Sequence, residues 1–142
     1  MILKISAMIL LITIVLAGGC TENQSSAEFA EEVNNSQEYY DSLVVSEPEN
    51  PEAWYFRGMY YNDAFGQYEK ALESYNQSLE LDPEYGPAWH AKGISLMNLW
   101  MENRSDSHYD NEAEICFANA IQYDPELVIH IPERYRKSII SG

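Results

Sequence analysis

The chain is short of most residue types from which catalytic and metal sites are made. Two Cys in 142 residues allow one disulfide at most. His90, His108 and His130 lie far apart, with no His-Glu-x-x-His pair and no Cys pair, so zinc has no ligand set. Basic residues are scarce: eight Lys and Arg stand against 23 Asp and Glu, for a net charge of −15. That balance argues against nucleic acid as a partner, because affinity for phosphates comes from clustered Lys and Arg. There is no Gly-rich phosphate loop and no Ser set in a nucleophile elbow. Carboxylates are so numerous that no particular acid and base pair can be argued from them. The sequence therefore nominates no catalytic residue, no cofactor and no metal site, and reads as a non-enzyme.

What is present is enough apolar material to fold. Apolar residues make up 46% of the chain and aromatic ones 13%, with eleven Tyr, which separates it from acidic disordered tails. The length suits one folding unit. The one basic cluster, Arg134, Arg136 and Lys137, suits anionic headgroups or a partner's carboxylates, but is expected instead to complement the end of a last helix.

Residues 1–19 carry one charge, Lys4, then an apolar run from Ile5 to Ala17, shorter than the about 20 residues that a membrane-spanning helix needs. A basic start, an apolar centre and small residues before a cut site describe an export signal. Leu16-Ala17-Gly18-Gly19-Cys20 resembles a lipobox, with Ala17 where the strictest form has Leu. The resemblance implies lipid attachment at Cys20, a polar tether over 20–26, and a protein anchored by lipid to the cell membrane on its extracytoplasmic face. An ordinary cleaved signal and an uncut anchor also fit these residues. Asn-X-Ser at Asn23, Asn34, Asn76 and Asn103 agrees with export. With Cys20 lipidated, Cys116 has no partner within the chain, and among Ile115, Phe117 and Ala118 it reads as a small buried apolar residue.

The remainder repeats. Pro51-Glu-Ala-Trp54-Tyr-Phe-Arg-Gly58 is echoed 35 residues later by Gly86-Pro-Ala-Trp89-His-Ala-Lys-Gly93, with Tyr61 and Leu96 seven residues after each Trp. Each is followed by a second pattern: Ala71, Tyr75, Ser78, Pro83 and Ala113, Phe117, Ala120, Pro125. Apolar or small residues at intervals of four and three mark one helix face, and Asp before Pro ends the helix. The Gly is expected to let two helix backbones approach, and the Trp to fill the groove between neighbouring hairpins.

These residues resemble the tetratricopeptide repeat, a helix-turn-helix unit of about 34 residues that stacks into solenoids. The resemblance implies an all-α fold, a short α-solenoid of antiparallel hairpins with N- and C-terminal capping helices. It places repeats at 50–83 and 84–125. Ser36, Tyr40 and Leu43 then fall at second-helix positions of a degenerate half-repeat over 27–49, whose helix is expected from about Ala27 to Val45. Ile131 falls at the next Trp position, and 126–142 becomes a capping segment with a helix over Pro132–Ile140. Between Trp89 and Ala113 the second copy has seven more residues than the first has between Trp54 and Ala71, expected as a loop insertion at 101–111. Arg57 and Lys92, where the usual pattern has Leu, are expected to snorkel, with the stem packed and the charge in water.

In the repeats that the chain resembles, ligands lie in a concave groove lined by the first helix of each hairpin. The resemblance puts Tyr55, Phe56, Met59, Asn62 and Asp63 on that surface from one copy, and His90, Ile94, Met97 and Asn98 from the other. Tyr and Met favour interfaces, so the implied partner is a protein, as an extended peptide or a helix. In so short an array the same residues are also placed to pack under the caps. The Lys and Asn arrangement that clamps a terminal carboxylate is not reproduced. The function implied is a membrane-anchored protein-binding adaptor without catalysis, with self-association by end-to-end stacking a further expectation. The alternative is an exported cation or small-solute binder using the acidic loop 102–112, where Asp106, His108, Asp110 and Glu112 alternate near Asn103 without the Gly of a calcium loop.

Overall fold

A computed structural model of the chain describes residues 36–141. The export signal, Cys20, the tether and the first part of the expected capping helix lie outside the described residues. Within them the chain is helical at 36–46 (α1), Pro51–Phe65 (α2), Tyr68–Leu81 (α3), Gly86–Glu102 (α4) and Ser107–Tyr123 (α5). A 3-10 turn, Pro125–His130, and the helix Glu133–Ser141 (α6) follow. No strand occurs among the described residues. Helices α2 with α3 and α4 with α5 are packed hairpins, α3 lies against α4, and α6 packs on α5. This is the all-α, tetratricopeptide-like solenoid with helices at its ends.

Local chemistry sets the boundaries. Asn50 Oδ1 accepts from Glu52 N at 3.0 Å with Pro51 at the first helical position, the combination that starts helices. Gly66, at φ 59°, closes α2 in the left-handed conformation, its N–H on the Asn62 carbonyl. Asp82 and Asp124, each before a Pro, turn extended, and each carboxylate accepts from the N–H two residues on, at 3.0 and 3.2 Å. Both indoles also repeat one bond: Trp54 Nε1 donates to the Pro48 carbonyl at 2.9 Å, and Trp89 Nε1 to that of Pro83 at 2.8 Å.

Two buried clusters form the core. Tyr61, Ala71 and Tyr75 make the first; Leu96, Ala113, Cys116, Phe117, Ile131 and Tyr135 make the second. The repeated Gly works through a ring rather than through touching backbones. A Cβ on Gly58 would stand 2.5 Å from the Tyr75 ring, and one on Gly93 2.7 Å from the Phe117 ring. The bare position on the first helix is the seat of the aromatic side chain from the second.

Four expectations are corrected. The seven extra residues do not form a loop at 101–111: two lengthen α4, two widen the turn to 103–106, and three extend the start of α5, which Asp106 caps through His108 N at 3.0 Å. Helical geometry satisfies the backbone there, which a structureless loop would leave to water. Arg57 does not carry its charge into water. Its Nε bonds Asp41 of α1 and its Nη1 bonds Ser74 of α3, both at 2.7 Å. Lys92, only 14% exposed in its side chain, faces Glu112 of α5 at 3.5 Å. The basic cluster does not sit at a helix C-terminus either, because α6 begins at Glu133 and has no basic residue in its last turn. Arg134 instead donates to Asp110 at 2.6 Å and lies over the Trp100 ring, 4.4 Å from its centre.

The C-terminal end closes in its own way. Tyr135 stands four residues after Ile131, the repeat position that Gly58 and Gly93 occupy in the hairpins. Its ring fills the space itself, 4.9 Å from Phe117, with its hydroxyl donating to Asp110 at 2.6 Å. Ile131 is buried and Ile139 packs on the same cluster. Helix α6 thus turns onto α5 the face that, inside a hairpin, would receive the next helix.

Candidate functional site

Helices α2 and α4 are joined across their facing sides. Asn62 Oδ1 accepts from Ser95 Oγ of α4 at 2.7 Å, Ala91 of α4 packs on the Tyr61–Tyr75 cluster, and the Tyr55 ring meets Tyr85, just before α4, edge-on at 5.5 Å. The first helices therefore share one surface, and the nine groove residues divide on it by copy.

The residues of α2 keep open area. Phe56 is 43% exposed and Asp63 is exposed, while Tyr55, Met59 and Asn62 are half-buried. Tyr55 stacks obliquely on Phe56 at 5.4 Å, and Met59 packs over the first cluster. Asp63 accepts from Asn62 Nδ2 at 2.6 Å. Those of α4 are turned more to the protein. Ile94 and Met97 pack on the second cluster, and His90 sits 5.9 Å from the Phe117 ring with Nε2 3.5 Å from the His130 carbonyl. The 3-10 turn is what brings His130 there, and it packs on α4 and α5. Asn98 is half-buried.

The electrostatics of the α2 part are anionic. Burial first, then the charge of Asp63, raises the Tyr55 hydroxyl above its usual pKa, and Tyr75 is raised by the same two causes in the same order. Tyr85 is pushed up to about 12 by burial, with the charges of Glu52 and Asp82 adding to it. Burial lowers His90, against the hydrogen bond at the His130 backbone.

Two members of this surface escaped sequence reasoning, Glu52 and Tyr85. Glu52 was legible, because Glu52, Phe56, Met59 and Asp63 follow the four, three, four spacing of one helical stripe. Tyr85 lies outside the helices, and only the chain path brings it to Tyr55.

The acidic segment 102–112 uses its side chains internally. Asp106 caps α5, Asp110 accepts from Arg134 and Tyr135, and Glu112 faces Lys92 and His108. No group of three or more His, Cys, Asp or Glu arranged to hold a metal ion occurs among the described residues. Cys116 is fully buried, and burial pushes its thiol up to about 12, where little nucleophilic thiolate exists.

Residues 51–85, which span α2, α3 and the approach to α4, match the family model of the tetratricopeptide repeat. That hairpin is similar to a tetratricopeptide repeat. The second hairpin, α4 with α5, follows the same Trp, Gly and Asp-Pro plan in structure as well as in spacing. The chain is also similar to the photosystem I assembly protein Ycf3 of Rippkaea orientalis (strain PCC 8801 / RF-1), at 27% identity over 113 residues. The match covers 79% of this chain and 63% of that protein's length. Repeats of this kind present protein-binding surfaces.

Proposed function

We propose that this protein is a non-catalytic adaptor that holds a segment of a protein partner on the α2–α4 face while a lipid on Cys20 tethers it to the extracytoplasmic face of the cell membrane. The observation that carries the binding half is the α2 surface, where Phe56 stays exposed beside half-buried Tyr55 and Met59. Large, rigid side chains of this kind anchor protein interfaces. The relative is an assembly protein by name, and the reading carried over from it is a role in bringing other proteins together. The tether rests on residues 1–20 alone.

Two experiments test the halves separately. A photo-crosslinking residue at Phe56 is expected to trap a protein partner in the native host, while the same residue at Ile115, 60% exposed on α5, traps none. Equal crosslinking from both positions sinks the groove. Intact mass and fractionation test the tether: a membrane-bound chain beginning at a lipidated Cys20 is expected, and a soluble chain beginning at Met1 removes it.

A further inference from the structure

Four aromatic rings among the described residues carry a cation from the protein itself. Arg57 stands over Tyr61 at 4.9 Å, Lys92 over Trp89 at 5.6 Å, and Arg134 over Trp100 at 4.4 Å and Tyr135 at 4.5 Å. The Tyr55, Phe56 and Tyr85 group is different. Among the described residues no Lys or Arg stands over these three rings, and none pairs with the carboxylates around them, Glu52, Asp63 and Asp82.

The register makes this more than an excess of acid. Glu52, Phe56, Met59 and Asp63 form one stripe along α2, with exposed carboxylates at its two ends and an exposed ring and a thioether between them. Eleven helical steps separate the carboxylates, about 16 Å along the axis. An extended chain covers that distance in about five residues. Ring faces and carboxylates both attract cations, and Arg in particular lays its planar head on an aromatic face while bonding a carboxylate.

We infer that the partner segment held by α2 is cationic: an extended stretch with two Arg or Lys about five positions apart, whose heads meet Glu52 and Asp63 and whose intervening apolar side chains lie on Phe56 and Met59. The inference deepens the adaptor reading and rests on its groove. The surface of the protein supplies the anions and the rings, and the partner supplies the missing cations.

The test is fluorescence polarisation with a labelled Gly-Arg-Ser-Leu-Ser-Leu-Arg-Gly peptide and its twin with citrulline in place of both Arg, which keeps shape and removes charge. The expected result is about tenfold tighter binding of the Arg peptide at moderate salt. That margin is expected to shrink about threefold with Glu52→Gln and again with Asp63→Asn, and to survive Glu69→Gln and Glu73→Gln on α3. All four positions are exposed, so folding is preserved and is checked by circular dichroism. Equal binding of both peptides overturns the inference, as does a margin that the α3 substitutions reduce as much as the α2 ones. If neither peptide binds while the Phe56 position still crosslinks a partner, the charge inference fails and the groove stands. If neither peptide binds and the crosslink is absent too, both fail.

Discussion

The two hairpins obey one spacing rule and are held by different chemistry. At positions 42 residues apart, the first has Ser74, Tyr75 and Ser78 where the second has Cys116, Phe117 and Ala120, and all six are buried. In the first hairpin both serine hydroxyls find partners. Ser74 receives Arg57 and donates to the Lys70 carbonyl, and Ser78 donates to the Pro51 carbonyl at 2.8 Å. In the second the same sites are apolar, and Phe117 is covered instead by Ile131 and Tyr135. A repeat template fixes where side chains meet; the neighbours decide whether the meeting is wet or dry. The first hairpin stands between helices on both sides and can trade bonds with them, while the second must be sealed by a segment that belongs to no repeat.

The largest effect that separates the hairpins is expected from Phe117→Ala, which opens the dry core and costs about 3–5 kcal/mol in urea unfolding. A loss below about 1 kcal/mol would refute the view that apolar burial holds the second hairpin. Next come Gly58→Ala and Gly93→Ala. Each pushes a methyl into a ring and is expected to cost about 1–3 kcal/mol by the same measurement despite the better helix propensity of Ala. Gly93→Ala combined with Phe117→Leu should recover part of the loss, and if it does not, the ring is not what the Gly accommodates. Exchanging chemistry at one repeat position sharpens the contrast: Cys116→Ser brings a hydroxyl into the dry cluster, at about 1–2 kcal/mol. Native Cys116 should meanwhile resist thiol reagents until urea exposes it, since burial holds its pKa at about 12.

The smallest effects are those of pH. Asp41 is raised by burial but held below its usual value on balance by hydrogen bonds from Arg57 and Tyr61 and by the Arg57 charge. Its contribution is therefore present above the unfolded value of 3.8 and lost as pH falls through the lower folded value. Asp41→Asn should flatten that part of the acid unfolding curve in the first hairpin alone. His90, lowered by burial, works at higher pH. Below the unfolded value of 6.5 the unfolded chain takes up a proton that the folded one resists, so stability falls as pH drops from there. His90→Gln should remove this slope, and an unchanged thermal midpoint profile between pH 7 and 5 would show that the 3-10 turn does not hold His90 dry.

Much of the fold was legible because helical stacking leaves a periodic trace. Trp54 with Trp89, Gly58 with Gly93 and the two Asp-Pro stops each name a packing or capping event, and one helix face can be read from its own spacing. The groove was legible only in part. Phe56 and Asp63 are open as the repeat pattern implies, but His90, Ile94 and Met97 are drawn onto the second core and the 3-10 turn, through contacts to residues some 20 to 40 positions away. Periodicity is silent about such contacts. It was equally silent about Arg57, because the snorkelling expectation considers one helix, whereas Asp41 and Ser74 come from the helices before and after it.

The sequence by itself determined the order of the helices and most of their ends, though not the end of α4 and the start of α5, because capping, proline stops and apolar spacing act within a few residues and need no knowledge of the rest. It also fixed the acidic stripe of α2, since register along one helix is local. Only the tertiary structure decided which rings seat over which Gly, which cations are already taken, and how the last helix turns Tyr135 into the place a Gly would hold. Those outcomes depend on which distant side chain reaches a vacant space or an unpaired charge first. That competition is settled by packing in three dimensions, and no local pattern records it.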